Sequence, residues 1–246
     1  MVLTVFPLRI NKWFKSLARV VAQFSGGLPM LVFAKQKLVL LSVPKTGSTA
    51  YETALAPLAS MVISAPPELK HAPVFRYNRF IRPMIARFLG EEIDVVAVMR
   101  EPVSWLGSWF RYRQRGDLAG HPNSTRGMSF DDFVTAYCTG RPPGFAMVGS
   151  QAKFLEPQRN GTRVTHLFRY EDQAGLRNFL ENRLGTAIET AAENSSPVMP
   201  LTLSRRIANR LRRKHADDFA LWDGIVGDGV FTPQPVKPEP QAGRSP

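Results

Sequence analysis

Short apolar runs alternate with longer amphipathic segments along most of the chain. Four runs have the composition of buried strands, because they are apolar at successive positions and stop at proline, arginine or polar residues. These predicted strands span residues 38–43, 61–64, 94–99 and 165–168. Helical segments between them indicate βαβ units. The sequence therefore predicts an α/β fold, with a parallel sheet in three layers and helices on both faces.

Helical periodicity and capping residues place the helices. Ser129, with Asp132 three residues later, is typical of a helix N-terminus, and Pro102 suits a first helical turn. The predicted helices span residues 48–58, 74–89, 102–115, 129–137, 149–156, 176–184 and 203–222. Residues 116–128 and 140–147 are predicted to be loops.

The two ends of the chain differ from the middle. Residues 1–29 carry four basic and no acidic residues among apolar ones, which is typical of a basic amphipathic helix. This extension is expected to contact a membrane surface, to pack on the domain, or to precede a start at Met30. Residues 232–246 are proline-rich and predicted to be disordered. Residues 30–231 are left as one α/β domain.

Charge indicates the class of partner. The 246 residues include 32 basic and 20 acidic ones, a formal net charge of +12. Such a balance favours an anionic partner, but no nucleic-acid module is recognisable, so nucleic acid is not expected. A single cysteine, Cys138, rules out a disulfide framework within the chain and favours a reducing, cytoplasmic location, with peripheral membrane contact as an addition. No apolar run is long enough to predict a transmembrane helix.

The turn after the first predicted strand has the composition of a phosphate site. Backbone N–H groups at a helix start bind anions, and glycine lets the backbone approach them closely. The turn also offers a lysine and three hydroxyl groups. Its candidate binding residues are Lys45, Thr46, Gly47, Ser48 and Thr49. The alternative interpretation is a simple helix N-cap beside a surface lysine.

The order of residues in this turn differs from that of a nucleoside-triphosphatase loop. There, a lysine follows the last glycine and is itself followed by a hydroxyl that holds Mg²⁺. Here Lys45 precedes Gly47, and the strand over 94–99 is followed by Arg100 rather than by an acid that could hold a metal. We therefore expect side chains to neutralise the phosphate, and no metal is implied. A small-molecule kinase or other phosphotransferase remains the alternative function.

A second phosphate site is predicted after the strand over 94–99. Arg100 lies at the strand end, and Ser104 and Ser108 share one face of the following helix. A guanidinium can bind phosphate through two parallel hydrogen bonds. Trp105, Trp109 and Tyr112 follow a helical spacing that favours core packing.

Together, PKTGST at 44–49 and Arg100 with Ser108 resemble the sulfotransferase family that uses 3′-phosphoadenosine 5′-phosphosulfate. The resemblance implies a P-loop-like fold in which the turn cradles the 5′-phosphosulfate. It implies that Lys45 contacts the bridging oxygen of the leaving phosphate, and that Arg100 and Ser108 bind the 3′-phosphate. SQAKFL at 150–155 and LFRYEDQ at 167–173 are similar to segments of the bacterial and carbohydrate-type members.

Two departures from the family pattern indicate which branch of the family the sequence resembles. Ala50 stands where cytosolic members have a tryptophan near the adenine, and their C-terminal R-K-G segment is missing. Both departures favour the bacterial or carbohydrate-type branch. They leave the contacts to the adenine unassigned.

LKHAP, at 69–73, supplies a candidate base. Sulfuryl transfer to an alcohol needs a group that accepts the hydroxyl proton, and histidine suits that role. Lys70-His71-Ala72-Pro73 looks like the K-T-H-L-P of cytosolic sulfotransferases, so His71 is the predicted base, with Glu68 in reserve. A capping or surface histidine is the alternative interpretation.

The expected function is transfer of a sulfuryl group to a hydroxyl or amine of a small molecule, lipid or glycan. A third possibility, after the phosphotransferase, is a non-enzymatic basic protein that binds anions or membranes. That possibility rests on the net charge and on residues 1–29 and 203–214.

Overall fold

The computed structural model describes residues 29–47, 51, 54–189 and 201–226. It shows an α/β protein built on a five-stranded mixed sheet, in the order β3-β1-β2-β4-β5. The strands are β1 Met30–Phe33, β2 Leu38–Leu40, β3 Met61–Ile63, β4 Asp94–Met99 and β5 His166–Arg169. Strands β2, β4 and β5 are parallel, whereas β1 is antiparallel to both β2 and β3.

The prediction of a parallel sheet is therefore wrong in one respect. β1 was not predicted, and it forms a tight hairpin with β2, in which Phe33 pairs with Leu38. Lys37 N–H donates to the carbonyl of Ala34 at 3.1 Å to close this turn, and Lys37 has a φ of 49°. A hairpin this short can only join antiparallel strands. The predicted strand over 38–43 ends at Leu40, while the other three strands agree with the prediction to within one residue.

Most helices lie where the sequence predicts them. They are α1 Pro67–Lys70, α2 Val74–Arg76, α3 Arg82–Leu89, α4 Pro102–Tyr112, α5 Phe130–Tyr137, α6 Gln151–Phe154, α7 Gln173–Leu184, α8 Arg205–Lys214 and α9 Ala216–Asp223. A π-helical turn, Tyr77–Ile81, joins α2 to α3, so residues 74–89 form one helix, called the 74–89 helix below. Short 3₁₀ turns span Ala56–Leu58, Gly116–Leu118 and Gly144–Ala146. Of the predicted helix over 48–58, residues 51 and 54–58 are described: 51, 54 and 55 are α-helical and 56–58 form the first of these 3₁₀ turns.

Two helical predictions differ from the structure. The helix α1 was not predicted, and the long basic helix predicted over 203–222 is two helices, α8 and α9, that meet at His215. His215 leaves the helical region, with φ −122° and ψ 39°. Its ring stacks on Tyr137 at 4.2 Å between centroids, and α9 then starts with Asp217 and Asp218 in its first turn. Acidic residues in a first turn favour a new helix start, which explains the break.

Helices cover both faces of the sheet. On one face, Val39, Val95 and Ala97 pack with residues of the 74–89 helix such as Tyr77 and Ile81. Alternate residues of the same strands point to the other face and pack against α7. The three-layer arrangement follows from this alternation, because successive side chains of a strand face opposite sides.

A separate helical core lies beside the sheet. Trp105, Trp109 and Phe110 of α4 are buried there with side chains of α5, α8 and α9. Burial of both tryptophans agrees with the core-packing interpretation. Within the described residues, no helix combines the length and apolar character needed to cross a membrane. The predicted extension, apart from Pro29, and the predicted tail lie outside the described residues.

Candidate functional site

The candidate site lies where β2, β4 and β5 end. These strands are adjacent and parallel, so the residues that follow them meet at one edge of the sheet. Leu41 N–H still donates to the carbonyl of Val96, and Tyr170 N–H to that of Met99, which keeps the strand ends in register. Lys45, Arg100 and Tyr170 project from this edge, which we call the carboxyl edge.

The turn after β2 has an unusual backbone. Lys45 and Gly47 both adopt a φ of 67°. A left-handed conformation costs an ordinary residue roughly 1–2 kcal/mol, so Lys45 is held there by its surroundings. Trp105 Nε1–H donates to the carbonyl of Pro44 at 2.8 Å, and Thr46 Oγ1 donates to the carbonyl of Val43 at 2.9 Å. The hydroxyl of Thr46 thus supports the turn itself.

Gly47 has a second reason to be glycine. A Cβ added at this position would overlap the ring of Tyr170. The same ring lies 4.4 Å from the guanidinium carbon of Arg100. Tyr170 therefore contacts both predicted phosphate motifs, although the two motifs are far apart in sequence.

Lys45 occupies a strongly positive environment. Burial, followed by the charges of Arg100, Arg115 and Arg111, lowers the pKa of Lys45 to about 8 from 10.5. Its Nζ lies 4.3 Å from the ring centroid of Tyr112, whose electron-rich face attracts a cation. Near neutral pH the lysine is still mostly protonated. It is a cation that an anion would stabilise further.

Arg100 is fixed from its backbone and from its side chain. Gln151 brackets the backbone, since its Nε2–H donates to the carbonyl of Arg100 at 2.8 Å and its Oε1 accepts from the N–H at 3.0 Å. Arg100 Nε–H donates to Ser104 Oγ at 2.8 Å, which leaves the two terminal nitrogens of the guanidinium for other partners. Ser108 is partly buried one helical turn after Ser104, on the same face of α4.

Arg111 adds a further cation to this edge. Burial and the charge of Arg100 lower the pKa of Arg111, against an opposing effect of Tyr170. Among the described residues, no carboxylate lies within ion-pair distance of Lys45, Arg100 or Arg111, whereas Arg115 pairs with Asp117 at 3.3 Å. We call Lys45, Arg100 and Arg111 the cationic cluster. Three neighbouring cations without a described counter-charge form a site that favours a polyanion.

His71 is buried beside the residue that leads into the turn. Its Nδ1 lies 2.9 Å from the carbonyl oxygen of Ser42 and 3.0 Å from Ser42 Oγ. A carbonyl only accepts, so the proton resides on Nδ1 and the lone pair on Nε2. Burial, assisted by the charge of Lys70 and opposed by the Ser42 bond, lowers the pKa of His71 to about 4. The imidazole is therefore neutral at physiological pH.

The structure brings some predicted site residues together and separates others. Lys45, Gly47 and Arg100 meet at the carboxyl edge. Nε2 of His71 is enclosed by protein, and no described contact joins His71 to the cationic cluster. Glu68 faces Arg76, where its charge partly offsets the lowering of the arginine pKa by burial. Ser48 and Thr49 lie outside the described residues.

Four residues of this site were missed by sequence reasoning: Arg111, Tyr112, Gln151 and Tyr170. A signal for Arg111 was present, because residues 104, 108 and 111 share the helical spacing that joined Ser104 to Ser108. Tyr112 was assigned to the core because it follows Trp105 and Trp109. Nothing in the sequence indicated that Gln151 would bracket Arg100 from 51 positions away.

A search against protein-family models gives no match, and a search of curated proteins likewise finds no similar protein.

Proposed function

We propose that this chain is a sulfotransferase with a P-loop-like fold. It would transfer a sulfuryl group from 3′-phosphoadenosine 5′-phosphosulfate to a hydroxyl or amine of a small molecule, lipid or glycan. One observation carries the proposal: the ring of Tyr170 contacts both Gly47 and Arg100, and no described carboxylate lies within ion-pair distance of Lys45 or Arg100. The two short motifs that resemble the family thus contribute to a single positive site.

The donor carries two phosphate-bearing ends, and the cationic cluster offers charge for both. In the proposal, Lys45 and the backbone of the 44–47 turn bind the phosphosulfate, helped by Ser48 and Thr49. Arg100 and Ser108 bind the 3′-phosphate. The terminal nitrogens of Arg100 suit this role, since its Nε–H is already committed to Ser104. Arg111 adds positive charge within reach of Arg100.

The proposed reaction is an in-line displacement at sulfur. The acceptor oxygen or nitrogen attacks the sulfur, and the bond from sulfur to the bridging phosphate oxygen breaks. The electron pair of that bond stays on the oxygen of the released adenosine 3′,5′-bisphosphate. Lys45 stabilises the negative charge that develops there, which is the type of interaction that lowers a barrier most.

His71 is the proposed acceptor of the proton lost by the attacking group. Its Nδ1–H bond to Ser42 leaves the Nε2 lone pair as the basic atom. Because Nε2 is enclosed by protein, this role requires a movement that opens it to the acceptor. Glu68 remains the second candidate.

Ligand-dependent thermal denaturation tests the proposal. The panel is adenosine 3′,5′-bisphosphate, adenosine 5′-monophosphate, ATP with Mg²⁺, and sulfate. We expect the bisphosphate to raise the melting temperature by about 5–10 °C when its concentration is about 100 times its Kd. The monophosphate and sulfate should have much smaller effects, and EDTA should change nothing.

Two other outcomes would contradict the proposal. Larger stabilisation by ATP that is lost on adding EDTA would favour the phosphotransferase, because a triphosphate needs Mg²⁺ to neutralise it. Equal stabilisation by all four anions, steeply dependent on salt, would favour a non-enzymatic anion-binding protein.

A further inference from the structure

The 74–89 helix exposes apolar side chains that the sulfotransferase proposal does not use. Its inner face is buried on the sheet through Val74, Tyr77, Ile81 and Ile85. Its outer face carries Phe80, Met84 and Phe88, which are 55%, 46% and 82% exposed. These residues repeat every four positions and form one stripe along the helix. The stripe is contiguous, unlike the scattered exposed apolar residues that any surface carries.

Basic residues flank this stripe. Arg79 and Arg87 are both exposed, and each directly precedes an exposed phenylalanine. The guanidinium carbon of Arg79 lies 5.5 Å from the ring centroid of Phe80. Neither arginine forms an ion pair with a described residue, whereas Arg82, at the side of the helix, pairs with Glu91. Residues 74–89 contain four arginines and no acidic residue.

We propose that the outer face of the 74–89 helix docks on anionic phospholipid bilayers. Phenylalanine and methionine side chains would enter the boundary between headgroups and acyl chains, while Arg79 and Arg87 extend to the phosphate level. Charge complementarity selects this occupant, because the face is entirely basic and apolar and the chain has a net charge of +12. Each basic residue close to an anionic surface strengthens binding by roughly fivefold.

A second copy of the chain is a poorer occupant. A two-fold interface presents the same face from both subunits. Such a dimer would bring Arg79 and Arg87 of one copy towards those of the other, and the face has no acidic residue to meet them. Like charges in contact are destabilising, so the face opposes its own pairing.

Co-sedimentation with lipid vesicles tests the surface on the full chain. We expect binding to phosphatidylcholine vesicles that contain about 30% phosphatidylserine, and little binding to phosphatidylcholine alone. The double variant Phe80→Ser with Phe88→Ser should lower the partition coefficient by about tenfold or more, because two apolar side chains are lost from the interface. The control, Leu58→Ser with Val226→Ser, removes two other exposed apolar residues and should change binding by less than about twofold.

The variants Arg87→Gln and Arg213→Gln test whether vesicle binding depends on charge at the proposed surface or on the net charge of the chain. Each removes one exposed arginine, so the net charge falls equally. We expect Arg87→Gln to weaken binding by roughly fivefold and Arg213→Gln to have little effect. Equal losses would show that binding follows net charge alone and would overturn the proposal.

Tryptophan fluorescence tests whether position 88 enters the bilayer. Phe88→Trp should give a blue-shifted fluorescence component on adding anionic vesicles, quenched by brominated lipid. No shift with bound protein would mean that another segment, such as residues 1–28, makes the contact, and would overturn the proposal. A dimer that the Phe80→Ser, Phe88→Ser double variant abolishes would assign the face to self-association instead. Loss of vesicle binding with unchanged affinity for adenosine 3′,5′-bisphosphate would separate this surface from the proposed catalytic site.

Discussion

The two edges of the sheet use their basic residues differently. At the amino edge, where the parallel strands begin, Arg183 pairs with Asp94 at 2.7 Å and Arg82 pairs with Glu91. At the carboxyl edge, the cationic cluster of Lys45, Arg100 and Arg111 has no described carboxylate within ion-pair distance. Aromatic rings lie against it instead, Tyr112 on Lys45 and Tyr170 on Arg100.

This difference separates paired charges, which stabilise the fold, from cations without a described counter-charge, which a bound anion would stabilise. Paired charges at the amino edge cancel and need no partner. Burial and neighbouring like charges at the carboxyl edge lower the pKa of Lys45 and of Arg111, so these cations oppose folding in the absence of an anion. A bound polyanion would remove that cost. The same property that weakens the free protein would therefore strengthen ligand binding.

Replacing Gly47 at the carboxyl edge should lower the free energy of unfolding more than replacing Gly161 does. Gly47→Ala places a Cβ at a positive φ and into the ring of Tyr170, so we expect a loss of about 2–4 kcal/mol in the free energy of unfolding. Gly161 also has a positive φ, of 86°, but open space around it. Gly161→Ala should cost only about 1 kcal/mol.

Urea denaturation of both glycine variants checks this difference. Gly47→Ala should also weaken binding of adenosine 3′,5′-bisphosphate, because Tyr170 contacts Arg100 as well. Equal costs at the two positions would mean that Tyr170 does not pack on the turn as described.

The next effect is a pH dependence of stability that comes from Lys45. Folding lowers its pKa from 10.5 to about 8, so between these values the unfolded chain binds more protons than the folded one. Stability contributed by this group therefore rises with pH across that window. We expect the wild type to gain about 2 kcal/mol relative to Lys45→Met between about pH 7.5 and about pH 10.

Urea denaturation of the wild type and Lys45→Met at both pH values gives this difference directly. The methionine variant keeps a side chain of similar length and supplies the background from all other titrating groups. A difference that stays constant with pH would place Lys45 in an ordinary solvated environment and remove the support for the cationic cluster.

A smaller effect is expected when one arginine at each edge is replaced by glutamine, because the free energy of unfolding should change in opposite directions. Arg111→Gln removes one of three like charges and should stabilise the free protein by up to about 1 kcal/mol. Arg183→Gln breaks the partly exposed pair with Asp94 and should destabilise it by up to about 1 kcal/mol. Thermal denaturation of the two variants in low salt tests this. The same sign for both would contradict the contrast between the edges.

Local apolar runs allowed much of the fold to be predicted. The strand Asp94–Met99 was predicted at its observed bounds, because five of its six residues are apolar and buried. The strand β1 was missed because the hairpin turn that joins it to β2 was not recognised. Its four apolar residues alone do not show whether they pair parallel or antiparallel to a neighbour. The break at His215 was missed although Asp217 and Asp218 are a local signal of a new helix start, and the stacking of His215 on Tyr137 cannot be read from the sequence.

The site was predicted only in part, because some of its side chains act through contacts between residues that are distant in sequence. The approach of Lys45 to Arg100 follows from adjacent parallel strands, so strand ends were sufficient to place both residues. Tyr170 and Gln151 act through packing and hydrogen bonds on residues distant in sequence. Side chains that support a charged residue carry no composition signal of their own. Structure was needed to find them.

In the proposed donor site, Arg100 binds a 3′-phosphate while the 44–47 turn binds the other end of the nucleotide. Isothermal titration of adenosine 3′,5′-bisphosphate and of adenosine 5′-monophosphate into wild type, Arg100→Gln and Arg183→Gln tests it. In wild type and Arg183→Gln, the 3′-phosphate should tighten binding by roughly 30-fold, the value of one charged hydrogen-bonded contact. In Arg100→Gln this advantage should fall to about threefold or less. An equal advantage in all three proteins, or no binding by the wild type, would contradict the claim.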